Sequence, residues 1–250
     1  MNHYGDLAHC YDGFTEDVSY PLLADYIEAQ FAESGQEIHT VLDLACGTGS
    51  LTWLLAQRGY EMIGADISPD MLSQAMDKEI PVSGEAPLFL CQAMEELDLQ
   101  GRVDACVCTL DGINHVTDPA LLQEAFRRVA LFLEPGGLFL FDVLTPEHLA
   151  GLDGGMFLDE SEDAYCVWRT DYEPSARICT YVMDVFLRKG EVWERSVEVQ
   201  EEFAYTMEEL TDYLTKAGFC EVQMRGSCEF AAPIAGADRV FFTAKRKGTI

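Results

Sequence analysis

Residues 41–55 read VLDLACGTGSLTWLL and combine one acid with small residues at alternate positions. Asp43 lies inside an apolar, strand-like run, and Ala45, Gly47 and Gly49 follow it in the turn toward a helical pattern. A backbone without large side chains can approach a bound ligand closely. A carboxylate nearby suits a ligand that has a cationic end. The pattern therefore predicts a ligand-binding turn directly after the strand.

A second class of ligand also uses a glycine-rich turn after the first strand. The dinucleotide fingerprint is G-x-G-x-x-G, and its third glycine allows the helix to pack beside a pyrophosphate. Thr52 stands at the third position here, so the match is weak. A nicotinamide-dependent oxidoreductase therefore stays open only as a weaker alternative.

Strand-like and helical patterns alternate through the first 145 residues. The predicted strands cover 40–45, 61–67, 86–93, 103–110 and 138–143. A strong amphipathic helix begins after Asp118, ends at Pro135-Gly136-Gly137, and has an apolar stripe of Leu121, Leu122, Ala125, Phe126 and Val129. Continuous apolar strands alternating with helices predict a parallel sheet covered on both faces. Ligands of such sheets bind at the carboxyl ends of the strands, where the opening motif stands.

The pattern changes after Thr145. A loop is expected over 151–163, followed by three long runs of period two at 164–173, 177–189 and 191–205. These runs predict an antiparallel meander with one wet face. In the third run the two faces carry Arg195, Val197, Val199, Glu201 and Phe203 on one side, and Glu194, Ser196, Glu198, Gln200 and Glu202 on the other, which is the side expected to be wet. A helix up to Gly218 and two strands, 220–226 and 238–245, then resume the α/β pattern.

Charge and cysteine content restrict the partners and the location. The chain has 250 residues and a net charge of −28, from 44 acids against 16 basic residues. Such a field repels nucleic acid and anionic membranes. The nine cysteines include no CxxC pair, and their spacing to histidine matches no zinc site, so buried thiols and no metal are expected. A polar amino terminus and the lack of a long apolar run predict a cytoplasmic protein.

With these motifs, residues 40–145 resemble the class I S-adenosylmethionine (SAM)-dependent methyltransferases. The stretch DLACGTG is similar to their first motif, and GADISPDML is similar to their second. The resemblance implies that Asp66 binds both ribose hydroxyls, which suits a carboxylate with two acceptor oxygens. It also assigns Ile67 to cofactor binding and Met71 to the face of the adenine. The alternatives are that Asp66 caps the helix at 69–76 and that Met71 belongs to the core.

The third motif departs from the family pattern. Many members have an acid at the end of strand three that binds the adenine amino group, and Ala93 stands at that position here. Two ways of holding adenine stay open. Gln92 can replace the acid, or the backbone can hold adenine through Ala93 and the N–H of Met94.

The amino-terminal stretch YGDLAHCYDGFTEDV resembles a segment that folds over the cofactor in small-molecule N-methyltransferases. Glycine methyltransferases and sugar-amine dimethyltransferases are examples. The resemblance makes Tyr4 and Tyr11 candidates for that cover. The alternative for Tyr11 is packing against its own amphipathic helix.

The loop TLDGINHV at 109–116 follows the fourth strand, so its first residues fall beside the opening motif. In the resembling enzymes this loop flanks the transferred methyl. His115 could accept a proton from an acceptor amine or hydroxyl, since histidine side chains titrate near cellular pH. Asn114 could orient the acceptor with its amide. The alternative is that Asn114 caps the turn and His115 packs beneath the next helix.

The resemblance implies an α/β fold with a Rossmann-like, seven-stranded, mostly parallel sheet, helices on both faces and an antiparallel meander lobe. We expect a cover segment and SAM-binding core at 1–145, a substrate lobe at 157–205, and a closing helix with two strands at 206–250. The expected activity is methyl transfer from SAM to a small-molecule amine or hydroxyl, as in bacterial relatives, leaving S-adenosylhomocysteine. Alternatives are a non-catalytic SAM-binding regulator and, for the lobe, a dimerisation surface; the enzyme is a monomer or a homodimer.

Overall fold

A computed structural model describes residues 7–15, 18–78, 80–82, 84–226 and 236–248. The predicted cover residue Tyr4 lies outside these ranges. The described helices are α1 (Tyr11–Phe14), α2 (Tyr20–Ser34), α3 (Ser50–Gln57), α4 (Pro69–Asp77), α5 (Pro119–Phe132), α6 (Pro146–Gly151) and α7 (Met207–Ala217). Short 3₁₀ turns cover Leu7–His9 and Met94–Glu96. None of the helices in the described ranges has the length and apolar character needed to cross a membrane.

The described strands form two separate sheets. The first sheet contains β1 (Thr40–Leu44), β2 (Glu61–Asp66), β3 (Leu88–Cys91), β4 (Val103–Cys108), β5 (Leu133–Leu144), β10 (Phe219–Arg225) and β11 (Arg239–Arg246). The second contains β6 (Met156–Glu160), β7 (Ala164–Glu173), β8 (Ile178–Lys189) and β9 (Val192–Phe203).

The strand order of the first sheet is β3-β2-β1-β4-β5-β11-β10. β1 pairs in parallel with both β2 and β4, and β11 pairs antiparallel with β5 and β10. This confirms the predicted seven-stranded, mostly parallel sheet. The order reverses between β1 and β4, so the carboxyl ends of these strands form the crevice where ligands of such sheets bind.

Local sequence signals account for the helices beside that crevice. The side chain of Ser68 accepts a hydrogen bond from the Met71 amide at 3.2 Å and caps α4, whose first residue is Pro69. Thr206 and Glu209 form a capping box at the start of α7, and Gly218 ends it in the left-handed region at φ 101°. Apolar side chains cover both faces of the first sheet, with Phe126 and Phe139 in one core layer and Ile27 and Leu55 in the other.

The boundary between α5 and β5 differs from the sequence expectation. The helix ends at Phe132, and the strand already begins at Leu133 instead of residue 138. Gly136 has φ 86° and the pairing register between β4 and β5 shifts, so the Pro-Gly-Gly segment is an irregular strand start rather than a simple stop. The apolar stripe of α5 also differs slightly: Leu121 is exposed and Ala130 is buried.

The second sheet corrects two further expectations. β6 occupies part of the predicted loop at 151–163 and pairs antiparallel with β7. The predicted orientation of β9 was wrong. Gln200 and Glu202 are 9% and 4% exposed, whereas Val197 and Val199 are 50% and 54% exposed. The polar face of β9 is therefore its buried face.

The inner face of the second sheet, polar on β9 and mostly apolar on β7 and β8, is covered by the amino-terminal segment and by the strand ends of the first sheet. The Leu7 amide donates to Glu198 Oε1 at 2.9 Å. Leu7 and Cys10 pack with Cys166 and Met183 of the inner face. Tertiary partners of this kind outweigh the simple rule that the more apolar face is buried, because hydrogen-bonded polar groups can be buried at low cost.

Candidate functional site

The turn after β1 adopts backbone conformations that a ligand-binding loop requires. Ala45, Gly47 and Gly49 have φ values of 57°, 53° and 73°, all in the left-handed region. A Cβ on Gly49 would lie 3.0 Å from the Cβ of Ala75, so this glycine allows α3 and α4 to approach. A Cβ on Gly47 would meet no described atom within 4 Å. Gly47 therefore borders open space at the strand ends, as the cofactor prediction requires.

Asp66 ends β2 and is 8% exposed. Its two carboxylate oxygens accept from the amides of Gly47 and Ser68, each at 2.8 Å. These bonds fix the carboxylate beside the glycine turn and leave each oxygen a further lone pair. The cap of α4 is provided by Ser68, so the geometry favours ligand binding by Asp66 over the capping alternative.

Asp43 lies beneath the turn. It is 2% exposed, and its Oδ2 accepts from the Thr52 hydroxyl at 2.6 Å. Burial raises the pKa of Asp43 to about 7, and the nearby charge of Asp66 adds to that effect. A cation bound above the turn would favour its ionised form. The acid in the strand thus contributes a field to the site and anchors α3 through Thr52.

The residues predicted to hold adenine occupy different environments. Ile67 is 51% exposed next to Asp66, whereas Met71 is 2% exposed and packs inside the protein. The Gln92 side chain is bound to both the amide and the carbonyl of Asp98, at 3.0 and 3.2 Å. This leaves the backbone of Ala93 and Met94, where a 3₁₀ turn begins, as the favoured alternative for adenine.

The amino-terminal segment is fastened onto the glycine turn by Asp12. Its Oδ1 accepts from the hydroxyls of Thr48 and Ser50 at 2.5 and 3.1 Å, and Lys78 pairs with Oδ2 at 2.6 Å. Burial alone would raise the pKa of Asp12, but the hydrogen bonds from Lys78 and Thr48 outweigh it and lower the pKa. Sequence reasoning missed Asp12, since its partners lie 36 or more residues away.

Tyr11 belongs to the same amino-terminal segment. Burial raises the pKa of its hydroxyl, and the charges of Asp111 and Asp66 raise it further, with Arg239 acting in the opposite direction. Its side chain also packs partly against the inner face of the second sheet. Tyr11 therefore packs on the second sheet within electrostatic range of Asp66, and its role as a cover stays a prediction.

The loop after β4 is held in a strained conformation. Leu110 and Asp111 both have positive φ, at 57° and 56°. Asp142 of β5 binds their amides at 2.8 and 3.1 Å, and Arg239 of β11 pairs with Asp142 and, at 2.5 Å, with Asp111. Strain of this kind persists only where surrounding contacts impose it, and it concentrates at functional sites. Asp142 and Arg239 are site residues that sequence reasoning did not single out.

His115 lies in this loop after β4, and its side chain faces two acids. Its Nε2 is 3.7 Å from Glu202 Oε1 and 3.9 Å from Asp111 Oδ2. A protonated His115 would lower the pKa of Asp66, so the two side chains lie within electrostatic range of each other. The side chain is 29% exposed and is directed toward the second sheet rather than into the core of the first. The three donor groups, Asp111, His115 and Glu202, lie within 4.8 Å of one another.

Asn114 has a different environment from the one expected. It is fully buried; its amide nitrogen donates to the carbonyls of Leu144 and Phe203 at 3.2 and 3.1 Å, and its Oδ1 accepts from the Leu144 amide at 3.0 Å. The Phe203 amide in turn donates to the Asn114 carbonyl at 2.8 Å. The side chain is therefore occupied by the protein and does not face the cleft. Asn114 joins β5, β9 and the loop that carries His115, so it is a positioning residue.

Glu202 is a site residue that sequence reasoning placed on a wet face. It lies beside Phe203 at the end of β9, and Tyr181 of β8 donates to its Oε2 at 3.0 Å. Burial raises the pKa of Glu202 well above its usual range, and the charge of Asp111 raises it further. No local signal in the strand could have shown this, because its neighbour Glu201 has the same chemistry and is exposed.

Comparisons with known proteins agree with the fold that holds these residues. Residues 41–137 match a family described as a methyltransferase domain. A relative from Bacillus subtilis (strain 168), named "Putative methyltransferase YqeM", is 32% identical over 250 residues, which cover 99% of this chain and 98% of the relative. The crystal structure of a S-adenosylmethionine-dependent methyltransferase from Clostridium acetobutylicum ATCC 824 is 28% identical, with a TM-score of 0.87, over 97% of this chain and 98% of that one.

A third comparison concerns the fold alone. The SAM-bound structure of CalS10, an amino pentose methyltransferase from Micromonospora echinaspora, is 21% identical to this chain, with a TM-score of 0.76 and coverage of 98% of each chain. The coverage includes the second sheet as well as the first. The likeness in fold therefore extends over residues of both sheets of this chain.

Proposed function

The chain belongs to the S-adenosylmethionine-dependent methyltransferases, and we propose that it methylates a small molecule bound in the cleft between its two sheets. The observation that supports this proposal is the position of His115, which lies in the loop after β4 and faces Glu202 of the second sheet. SAM supplies a methyl group on a sulfonium sulfur, which an amine or hydroxyl can attack directly.

The residues present fit SAM at the edge formed by β1 and β2. We assign the ribose to Asp66, the methionine end to the turn of Ala45, Gly47 and Gly49 above Asp43, and the adenine to Ile67 and the backbone of Ala93 and Met94. The open space at Gly47 and the fixed carboxylate of Asp66 support this assignment. Tyr11 covers the site from the amino-terminal segment and keeps water from the reacting atoms.

His115 has the proton-handling role in this proposal. An amine must be neutral to attack, and a hydroxyl needs a base, so a group near neutral pH that faces the acceptor is required. The carboxylates of Asp111 and Glu202 near Nε2 stabilise the imidazolium that forms. Asn114 holds the loop against β9 during this proton transfer.

The second sheet contributes the acceptor side of the cleft. Its inner face carries polar side chains, such as those of Gln200 and Glu202, in addition to the groups at the strand ends of the first sheet. A wall of this kind, formed by a four-stranded sheet, suits a small molecule better than an extended macromolecular surface. The alternative for the lobe is a dimer interface, and the half-exposed outer face with Val197 and Val199 is the surface available for it.

A fractionation experiment tests the proposal. The protein is incubated with [methyl-³H]SAM and a bacterial extract that has been separated into a filtrate of small molecules and a retained macromolecular fraction. We expect label to move into the filtrate compounds, with a His115→Ala control that transfers much less. Label found only in protein or nucleic acid would contradict a small-molecule acceptor.

A further inference from the structure

Glu202 is a buried carboxyl group without an arginine or lysine partner of its own among the described ion pairs. Four side chains face it: Tyr181 from β8, Asp111 and His115 from the loop after β4, and Arg239 from β11. The hydrogen bonds of Arg239 go to Asp111 and Asp142 instead. Glu202 therefore lies beside a hydroxyl that donates to it, an imidazole and a second acid.

Two carboxyl groups buried this close together are costly. Burial disfavours the charged form, and Asp111 and Glu202 repel each other when both are ionised. The arginine that pairs with Asp111 lowers the pKa of Asp111, whereas the pKa of Glu202 is raised. A bound cation would remove the repulsion and allow both groups to ionise. The two acids therefore lack a positive charge that would let both ionise. A cationic group bound among Asp111, His115 and Glu202 would supply it.

We infer that Glu202, together with Asp111 and His115, binds the methyl acceptor as a protonated aliphatic amine, so that the enzyme methylates amine nitrogen rather than a hydroxyl oxygen. This inference rests on the proposed function and narrows its substrate class. Glu202 determines specificity by its charge, and its place on β9 explains why the second sheet is required. Carboxylate and phosphate acceptors are repelled by the same pair of acids.

The reaction balances with groups that the site contains. One N–H bond of the bound ammonium breaks, and its proton moves to Nε2 of His115. The nitrogen lone pair then forms the bond to the methyl carbon, while the bond from carbon to sulfur breaks and leaves its electron pair on sulfur. The products are a methylated ammonium ion, S-adenosylhomocysteine and an imidazolium, which returns its proton to solvent. The ionised acids stabilise each cationic species in turn.

The test uses two probes with the same number of heavy atoms, ethylammonium chloride and ethanol, added to the enzyme saturated with S-adenosylhomocysteine. Imidazole signals of ¹⁵N-labelled histidines report binding beside His115, and sodium chloride keeps the ionic strength equal. We expect ethylammonium to shift the His115 signal in a saturable way and ethanol to leave it unchanged. Glu202→Gln should weaken the ethylammonium response by at least about tenfold, as expected for a lost contact between charged groups.

Glu201→Gln is the matched control, because Glu201 is the preceding residue on β9 and is exposed. It removes the same charge from the opposite face and should leave the response intact. Calorimetry gives a second measurement. Cation binding favours the ionised form of Glu202, so ethylammonium should release protons near neutral pH, and Glu202→Gln should abolish that release. Thermal unfolding checks that the variant is folded; the amide of Gln keeps an oxygen to accept from Tyr181.

Four outcomes would overturn the inference: ethylammonium without effect on His115, ethanol with an equal effect, a Glu202→Gln response like that of Glu201→Gln, or micromolar binding of MnCl₂ that depends on Glu202, which would make the cluster a metal site. The proposed function fails separately. If labelled methyl groups enter small alcohols or phenols but no amines, small-molecule methylation stands and the amine assignment fails. If label enters only macromolecules, the proposed function itself fails.

Discussion

The two sides of the cleft are built in different ways. On the proposed cofactor side, Asp66 is held by the backbone amides of Gly47 and Ser68, which lie 19 and two residues away along the chain. On the acceptor side, His115 and Glu202 meet because Asn114 binds Phe203, 89 residues further along the chain. The first side depends on backbone conformation, and the second depends on side chains brought together by the packing of two sheets.

This difference has a functional consequence. A backbone-built site recognises features that every SAM molecule has, so it can be the same in enzymes with different acceptors. A side-chain-built site can change its charge by single substitutions without disturbing the cofactor. Variants on the cofactor side should therefore affect SAM binding itself, whereas variants on the acceptor side should affect methyl transfer at unchanged SAM affinity.

The largest expected effect is that of Gly47→Val. The left-handed backbone at this position strains a β-branched side chain, and its methyl groups would occupy the open space assigned to SAM. We expect SAM affinity to fall on the order of 100-fold or more. Calorimetric titration measures it, with circular dichroism to confirm folding. Gly35→Val is the control, because Gly35 has a similar φ of 68° with open surroundings but ends α2. A Gly47→Val protein that still binds SAM normally would contradict the assignment of this turn to the cofactor side.

His115→Ala should give the next largest effect, on the acceptor side. Methyl transfer to the true acceptor should fall by roughly 10²–10⁴-fold, the range for lost general acid–base catalysis. SAM affinity should not change, because the imidazole faces Glu202 and Asp111. His148→Ala is a suitable control, since His148 pairs with Asp238 at 3.1 Å and lies outside the cluster. Equal turnover in both variants would remove His115 from the mechanism.

Asp66→Ala should weaken SAM and S-adenosylhomocysteine to the same extent. Both ligands contain the ribose, and losing hydrogen bonds to a charged group costs about 1.5–3 kcal/mol. The expected loss of affinity is thus about 10–150-fold for each ligand. Titration of each ligand measures it. Affinities that stay unchanged would show that Asp66 only orders the turn through the Gly47 amide.

The smallest effect concerns Asp43 and pH. Its pKa is about 7 in the folded protein because of burial, against 3.8 ordinarily. The folded state therefore binds the proton more tightly, so this contribution to stability is complete below the unfolded pKa and is lost as pH rises through 7. Relative to Asp43→Asn, the wild type should lose about 2–3 kcal/mol of unfolding free energy between pH 5 and pH 8. Urea unfolding at both pH values measures this difference. A parallel pH dependence in the two proteins would contradict the raised pKa.

Binding of SAM should change the pKa of Asp43 and so distinguishes the two sides of the cleft. A cationic end above the turn should lower the pKa of Asp43 and shift the pH dependence to lower pH, whereas occupation of the acceptor side alone should not. The unfolding experiment can be repeated at saturating S-adenosylhomocysteine, which lacks the sulfonium charge but keeps the amino group.

Most of the first sheet could be predicted from sequence, because its signals are local. Buried strands such as β1 and β4 are continuous apolar runs, and α7 carries its cap and its terminal glycine in the sequence. The turn of Ala45, Gly47 and Gly49 was recognisable for the same reason. The start of β5 was less predictable, since Gly136 and its neighbours suit a helix stop as well as an irregular strand.

The acceptor side was decided by the tertiary structure. An alternating strand shows that Glu201 and Glu202 point in opposite directions, but it does not show which face is covered. That choice depends on the amino-terminal segment and on the strand ends that meet β9. Likewise, the Asn114 amide binds the carbonyl of Phe203 and Arg239 pairs with Asp111, and both partners are distant in sequence. The sequence by itself predicted the glycine turn and Asp66 as a cofactor edge, because these residues lie within 19 positions of each other along the chain. Only long-range packing could bring Glu202 to His115.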